Sequence, residues 1–165
     1  MAKMRQRTQK QIITTGKQYV LGLFVLLSVL TFSILYALEV SGRPFAEAKE
    51  KAVELASQYA GLTSATQVAI YNGAATYYSV VGKTDAGEEL LVLIPEEGQD
   101  ILVYPLAAGL SQEEAEAVAQ ENGAESIDRA ILGYADGKPI WEIKSKTAYY
   151  LIEFETGDLL KKEGI

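Results

Sequence analysis

Proton transfer and nucleophilic attack would fall to Ser, Thr, Tyr, Lys, Asp and Glu in this sequence, because it contains no His and no Cys. That absence removes the usual base and nucleophile pairs, the common zinc sites, thiol catalysis and disulfides. A Ser nucleophile with a Lys base would need a Ser-x-x-Lys spacing, and none occurs. Lys83-Thr84-Asp85 and Lys146-Thr147-Ala148 also miss the companion Lys-Thr-Gly pattern. Carboxylates cluster at Glu113, Glu114 and Glu116 and at Asp85, Glu88 and Glu89, but neither set has the alternating oxygen-ligand spacing of a calcium loop. They read as a solvated helix face and a solvated turn. The glycines stand singly at turns, so no phosphate-cradling loop is encoded. Neither catalysis nor a cofactor is expected.

What remains is a chain organised for placement rather than reaction. Residues 1–18 hold Lys3, Arg5, Arg7, Lys10 and Lys17 and no acid, while 19–38, YVLGLFVLLSVLTFSILYAL, hold no charge. Those 20 residues span roughly 30 Å as a helix, the thickness of a hydrocarbon core. Tyr19 and Tyr36 sit near the two headgroup levels, and the flanking cations predict a cytoplasmic N-terminus with everything after Glu39 outside. A cleaved signal sequence shares this plan, but its apolar region is usually only about 7 to 15 residues. No Cys follows the run to take a lipid.

All 22 acidic residues and ten of the 15 basic ones lie after Leu38, a formal charge of −12. Such a field repels nucleic acid and suits either a basic protein partner or plain solubility. Ser41, Gly42, Arg43 and Pro44 predict a break in the helix just past the membrane. An amphipathic helix should follow, with Phe45, Ala48, Ala52, Leu55, Ala56 and Tyr59 on its apolar face and an end near Gly61. Strand signals then run over 67–71, 76–81, 89–94 and 101–104, with turns at Asn72-Gly73, Asp85-Ala86-Gly87 and Glu97-Gly98. Ser111 with Glu114 forms a capping box, and Leu110 with Ala115 a hydrophobic staple, for a second helix that stops at Gly123. Strands resume over 126–134, 140–144, 148–155 and 159–161.

The order helix, then antiparallel strands, therefore occurs twice. Tyr78 to Thr84 can be laid over Trp141 to Thr147, and Leu91 to Leu102 over Tyr150 to Leu160, which makes a duplicated unit the economical reading. The expected fold is α+β: a transmembrane helix followed by two small helix-plus-antiparallel-sheet domains, 39–106 and 107–165. Alternation in the second copy places Trp141, Ile143, Tyr150, Ile152 and Phe154 on the buried face, and Glu142, Lys144, Tyr149, Leu151, Glu153 and Glu155 on the other. In the first copy Leu90 to Ile94 are apolar on both faces, so the side away from the helix also needs cover, from the other half or from a partner. Candidate partner-contact residues are accordingly Leu90, Val92 and Ile94 in the first half and Tyr149 and Leu151 in the second. Most of the ten tyrosines fall on strands and read as sheet residues.

Tyr77-Tyr78-Ser79-Val80-Val81-Gly82-Lys83-Thr84 followed by Leu91 to Pro95, the helix start at Leu110-Ser111, and Trp141-Glu142-Ile143 followed by Tyr149 to Phe154 and Thr156 to Leu160 occur in an order that resembles the TseB/YpmB-like family of Gram-positive extracytoplasmic proteins. The last piece is similar to PepSY domains as well. The resemblance covers nearly the whole chain. It implies two tandem cystatin-like or PepSY-like domains and a non-enzymatic role as partner of a class B penicillin-binding protein in cell-wall elongation. It implies no small-molecule substrate. A PepSY-type inhibitor of an extracytoplasmic peptidase is the alternative that segment 141–160 implies, and a ligand sensor is a third.

Overall fold

A computed structural model describes residues 15–98 and 100–164, with side chains described at 16–39 and from Phe45 onward. Lys3, Arg5, Arg7 and Lys10 of the basic tail lie outside the described residues. The chain divides into two compact units, Met1–Pro44 and Phe45–Ile165.

In the first unit, Gly16–Glu39 is long and apolar enough to cross a membrane, and none of that apolar stretch is buried by protein. Two of its hydroxyls bond within the helix: Ser28 Oγ donates to the Phe24 carbonyl at 2.8 Å and Thr31 Oγ1 to that of Leu27 at 2.9 Å. A lipid interior offers no other acceptors.

The expected break at 41–44 does not form, because helix α1 runs Thr15–Ala60. Pro44 removes one N–H from the ladder at a cost of about 3 kcal/mol. Long helical segments on both sides hold the turn despite that cost, since propagation is cheap once a helix is nucleated. Gly61, with φ +67°, ends α1 and donates its N–H to the Ser57 carbonyl at 3.0 Å. Glycine takes that left-handed conformation without the Cβ penalty other residues meet.

Beyond α1 the second unit contains two four-stranded antiparallel meanders. The first is β1 (Leu62–Asn72), β2 (Thr76–Thr84), β3 (Glu89–Pro95) and β4 (Leu102–Pro105). A 3-10 turn at Leu106–Ala108 and helix α2 (Gln112–Glu121) lead to β5 (Ile127–Ala135), β6 (Lys138–Ser145), β7 (Ala148–Glu153) and β8 (Leu159–Gly164). The capping box forms as the sequence predicts: Ser111 Oγ accepts from the Glu114 N–H at 3.3 Å, and the Glu114 carboxylate accepts from the Ser111 N–H at 2.9 Å.

Two cores result, and strand parity assigns residues to them. Val80 pairs with Val92 and Tyr78 with Ile94, so Leu90, Val92 and Ile94 lie under Ala52 and Ala56 of α1. Leu91 and Leu93 point the other way and are buried with Ala130, Ile131 and Leu132 of β5. The second half thus supplies the cover that the doubly apolar strand needs. Its own helix packs Ala115 and Ala119 over Trp141, Ile143, Tyr150, Ile152 and Phe154, all buried. Phe45 and Tyr59, expected on the apolar face of α1, are instead 63% and 68% exposed. Phe45 stands seven residues before Ala52, about 10 Å along the axis, ahead of the stretch in which Ala52, Val53, Leu55, Ala56 and Ala60 meet the sheet.

The pairing registers also shift the repeat by one residue. Val80 pairs with Val92 and Ile143 with Tyr150, so Val92 rather than Leu91 is the counterpart of Tyr150. A one-residue slip exchanges the two faces of a strand, so similarity read along the chain without pairing partners could not detect it.

Where the halves meet, the Tyr71 ring lies directly on Gly133, leaving no room for a Cβ there. The Tyr77 and Tyr134 rings are 5.2 Å apart between centroids, a tilted aromatic pair. Trp141 Nε1–H donates to the Leu110 carbonyl at 3.0 Å, and the Leu110 N–H donates to the Phe154 carbonyl at 2.8 Å. These two bonds tie the segment entering α2 to the sheet beneath it.

Candidate functional site

Leu90, Val92 and Ile94 are 8%, 0% and 4% exposed. Their side chains lie under α1 and cannot meet a partner, which corrects the expectation that they form a contact surface. The physical reason is the register: the apolar strand has two faces, and both are used within the chain. Tyr149 and Leu151 lie elsewhere. Both are half-buried on the face of the second sheet that points away from α2.

That face is the floor of an open groove of about 580 Å³. The β1–β2 hairpin, through Tyr71, Asn72, Gly73 and Ala74, forms one wall. Cross-strand pairing sets the floor: Glu142 stands opposite Leu151, which stands opposite Lys161, and Tyr149 stands opposite Glu163. Two ion pairs flank the apolar centre, Arg129 to Glu142 at 3.0 Å and Lys161 to Glu163 at 3.2 Å. Lys144 Nζ lies 5.7 Å from the Tyr149 ring centroid, within cation–π range.

The two pairs differ in environment. Both members of the Lys161–Glu163 pair are more than half exposed, whereas the Glu142 side chain is only 13% exposed. Burial raises the Glu142 carboxyl above the ordinary carboxylate range, and the Arg129 guanidinium, with Lys144 beyond it, pulls it back. The Tyr71 hydroxyl in the same wall is also raised, first by burial and then by the nearby Glu142 and Asp136 charges. A carboxylate held in partial desolvation and met by one cation is a group that further donors would stabilise.

Two members of the carboxylate clusters have structural roles. Glu114 caps α2, and Glu89 pairs with Lys83 at 3.0 Å. Among the described residues no three metal-ligating side chains converge. The arrangement presents an apolar centre over Tyr149 and Leu151 with charges of both signs at its rim. Strand alternation placed Glu142, Lys144, Tyr149 and Leu151 on this face from sequence. Arg129, the far strand's Glu163 and the hairpin wall were missed, because strand β8 extends past Lys161 and the hairpin comes from the other half.

Residues 51–95, from the last turns of α1 through β3, match the family described as the cell wall elongation regulator TseB-like domain. The solved structure of the YpmB protein from Bacillus subtilis is similar, at 25% identity and a TM-score of 0.66, with 72% of this chain and 98% of that one covered. A protein of Clostridium difficile 630 provisionally assigned as a lipoprotein aligns at 14% identity and a TM-score of 0.38, over 69% of this chain and 90% of that one. No curated protein matches the chain. The segment match and the YpmB-like order of helices and sheets agree with the resemblance in the sequence: residues 51–95 are similar to the TseB-like domain, and the α+β fold is similar to that of the YpmB protein.

Proposed function

We propose that this protein is a non-enzymatic, membrane-anchored regulator of cell-wall elongation that binds a class B penicillin-binding protein on the outer side of the membrane. The observation that carries the reading is the TseB-like match over 51–95. The apolar helix over Gly16–Glu39 supports it as an anchor, and the basic residues before that helix favour a cytoplasmic N-terminus with the two α+β domains, 39–106 and 107–165, outside. Anchoring in the membrane that holds the synthase raises the effective concentration of each for the other, so a weak, reversible contact is enough for regulation.

The test is photocrosslinking in living cells from the full-length chain, with the probe at exposed positions across the outer unit. A class B penicillin-binding protein should be recovered from at least one of them. Recovery of that synthase from none, with the chain at its normal level in the membrane, refutes the reading.

A further inference from the structure

We infer that the groove over Tyr149 and Leu151 is the docking site for an extended segment of that protein partner, one carrying an apolar side chain flanked by charges of both signs. The inference rests on the regulatory reading above and adds the location and the kind of contact.

Three observations lead there. The first is the duplication. Val80 and Ile143 are counterparts in the repeat, and their pairing partners are Val92 and Tyr150. The outward neighbours are therefore counterparts too: Leu91 with Tyr149, Leu93 with Leu151, and Val81 with Lys144. In the first half, Val81, Leu91 and Leu93 are buried in a core shared with β5 of the second half. The corresponding face of the second half is walled on one side by the β1–β2 hairpin and is otherwise left half-open. A surface whose structural equivalent is buried by another part of the chain is thus left partly exposed among the described residues.

The second observation is continuity with that existing interface. Tyr71, whose ring packs on Gly133 between the halves, also lines the groove. The third is charge. The outer part of the chain is strongly acidic, yet here Arg129, Lys144 and Lys161 alternate with Glu142 and Glu163 around Tyr149 and Leu151. In the first half this face is mostly apolar, with Ser79 as a small buried polar residue beside Val81, Leu91 and Leu93, as suits a permanent contact, whereas apolar residues ringed by charge suit a contact that forms and dissociates. Glu142 is mostly buried and has Arg129 on one side, so a donor from the incoming segment would complete its surroundings. The floor is a strand surface walled by a hairpin, which fits an extended segment.

The experiment uses the full-length chain in cells, with a photocrosslinking residue at 149 or 151 and, as a comparison, at Tyr59, which is exposed on α1. Positions 149 and 151 should crosslink to the class B synthase about tenfold or more above Tyr59, and the crosslinked peptide should map to one extended segment. With the probe at 149, Leu151→Asp should lower the yield by about tenfold, the loss expected for a central contact residue. An unchanged unfolding midpoint for Leu151→Asp makes that loss one of contact, and the yields from the otherwise unaltered chain decide the case independently of the variant. Synthase recovered from Tyr59 but not from 149 or 151 leaves the regulatory reading standing and overturns the groove. Adducts of two copies of this chain at 149 and 151 overturn it in favour of self-association. Synthase from no position removes the regulatory reading and the docking site together.

Discussion

Trp141 joins α2 to its sheet in two ways that can be separated by substitution. Its ring is buried against the second core, and its N–H holds the Leu110 carbonyl. Trp141→Ala should cost roughly 3 to 5 kcal/mol, the range for a large buried aromatic. Trp141→Phe keeps most of the packing and loses the hydrogen bond, leaving a carbonyl unpaired at a cost of about 1 to 3 kcal/mol. Denaturant unfolding of the purified chain checks both, and equal losses for the two variants would mean the ring's bulk contributes nothing. Glu142 gives a pH signature of opposite sense to that of most acids. Because burial lifts its folded pKa above the unfolded value, ionisation opposes folding, and the penalty fades as pH falls through the folded value toward the unfolded reference of 4.5. The unfolding temperature of the wild type should therefore rise relative to that of Glu142→Gln as pH is lowered from neutral through that window. A wild-type unfolding temperature that stays constant or falls relative to that of Glu142→Gln would show that Arg129 outweighs burial.

Among the elements, α2 depends most on its cap. Gln112–Glu121 is short for a helix that must stand on packing by two alanines, and no basic residue supports its last turn. A helix of this length is marginal on propensity alone. Ser111→Ala removes one half of the box and should cost about 0.5 to 2 kcal/mol. Amide exchange should then quicken selectively in the first turn of α2, while a uniform change across both sheets would place the effect outside the cap. At the other end, Lys162 Nζ donates to the Asn122 carbonyl at 2.8 Å and lies 5.1 Å from the Tyr150 ring centroid. A cation at the C-terminus of a helix meets the negative end of its dipole, so strand β8 supplies what the helix sequence lacks.

The unit Phe45–Ile165 should unfold as one. Leu91 and Leu93 from the first sheet are buried with residues of the second, and neither half on its own would cover that face. Calorimetry of Phe45–Ile165 should show a single transition with matching calorimetric and van't Hoff enthalpies. Two separated transitions would mean that each half carries an independent core and that the shared face contributes little.

Sequence alone determined whatever depends on local period or on composition. The charge-free run at 19–38 meant a helix of membrane length, the capping box at Ser111 fixed the start of α2, and alternation placed Trp141, Ile143, Tyr150, Ile152 and Phe154 on one face, as the structure has them. What sequence could not decide was which partner each face meets. Leu90, Val92 and Ile94 are as apolar as Leu91 and Leu93, and only the register against Val80 and Tyr78 sends the first set under α1 and the second toward β5. The helix through Pro44 was hidden for a related reason, since a local breaker is overridden by long helices on either side. The groove draws Tyr71 from one half and Tyr149 and Leu151 from the other. Residues so far apart in the chain become neighbours only when the two sheets pack, which no local pattern records.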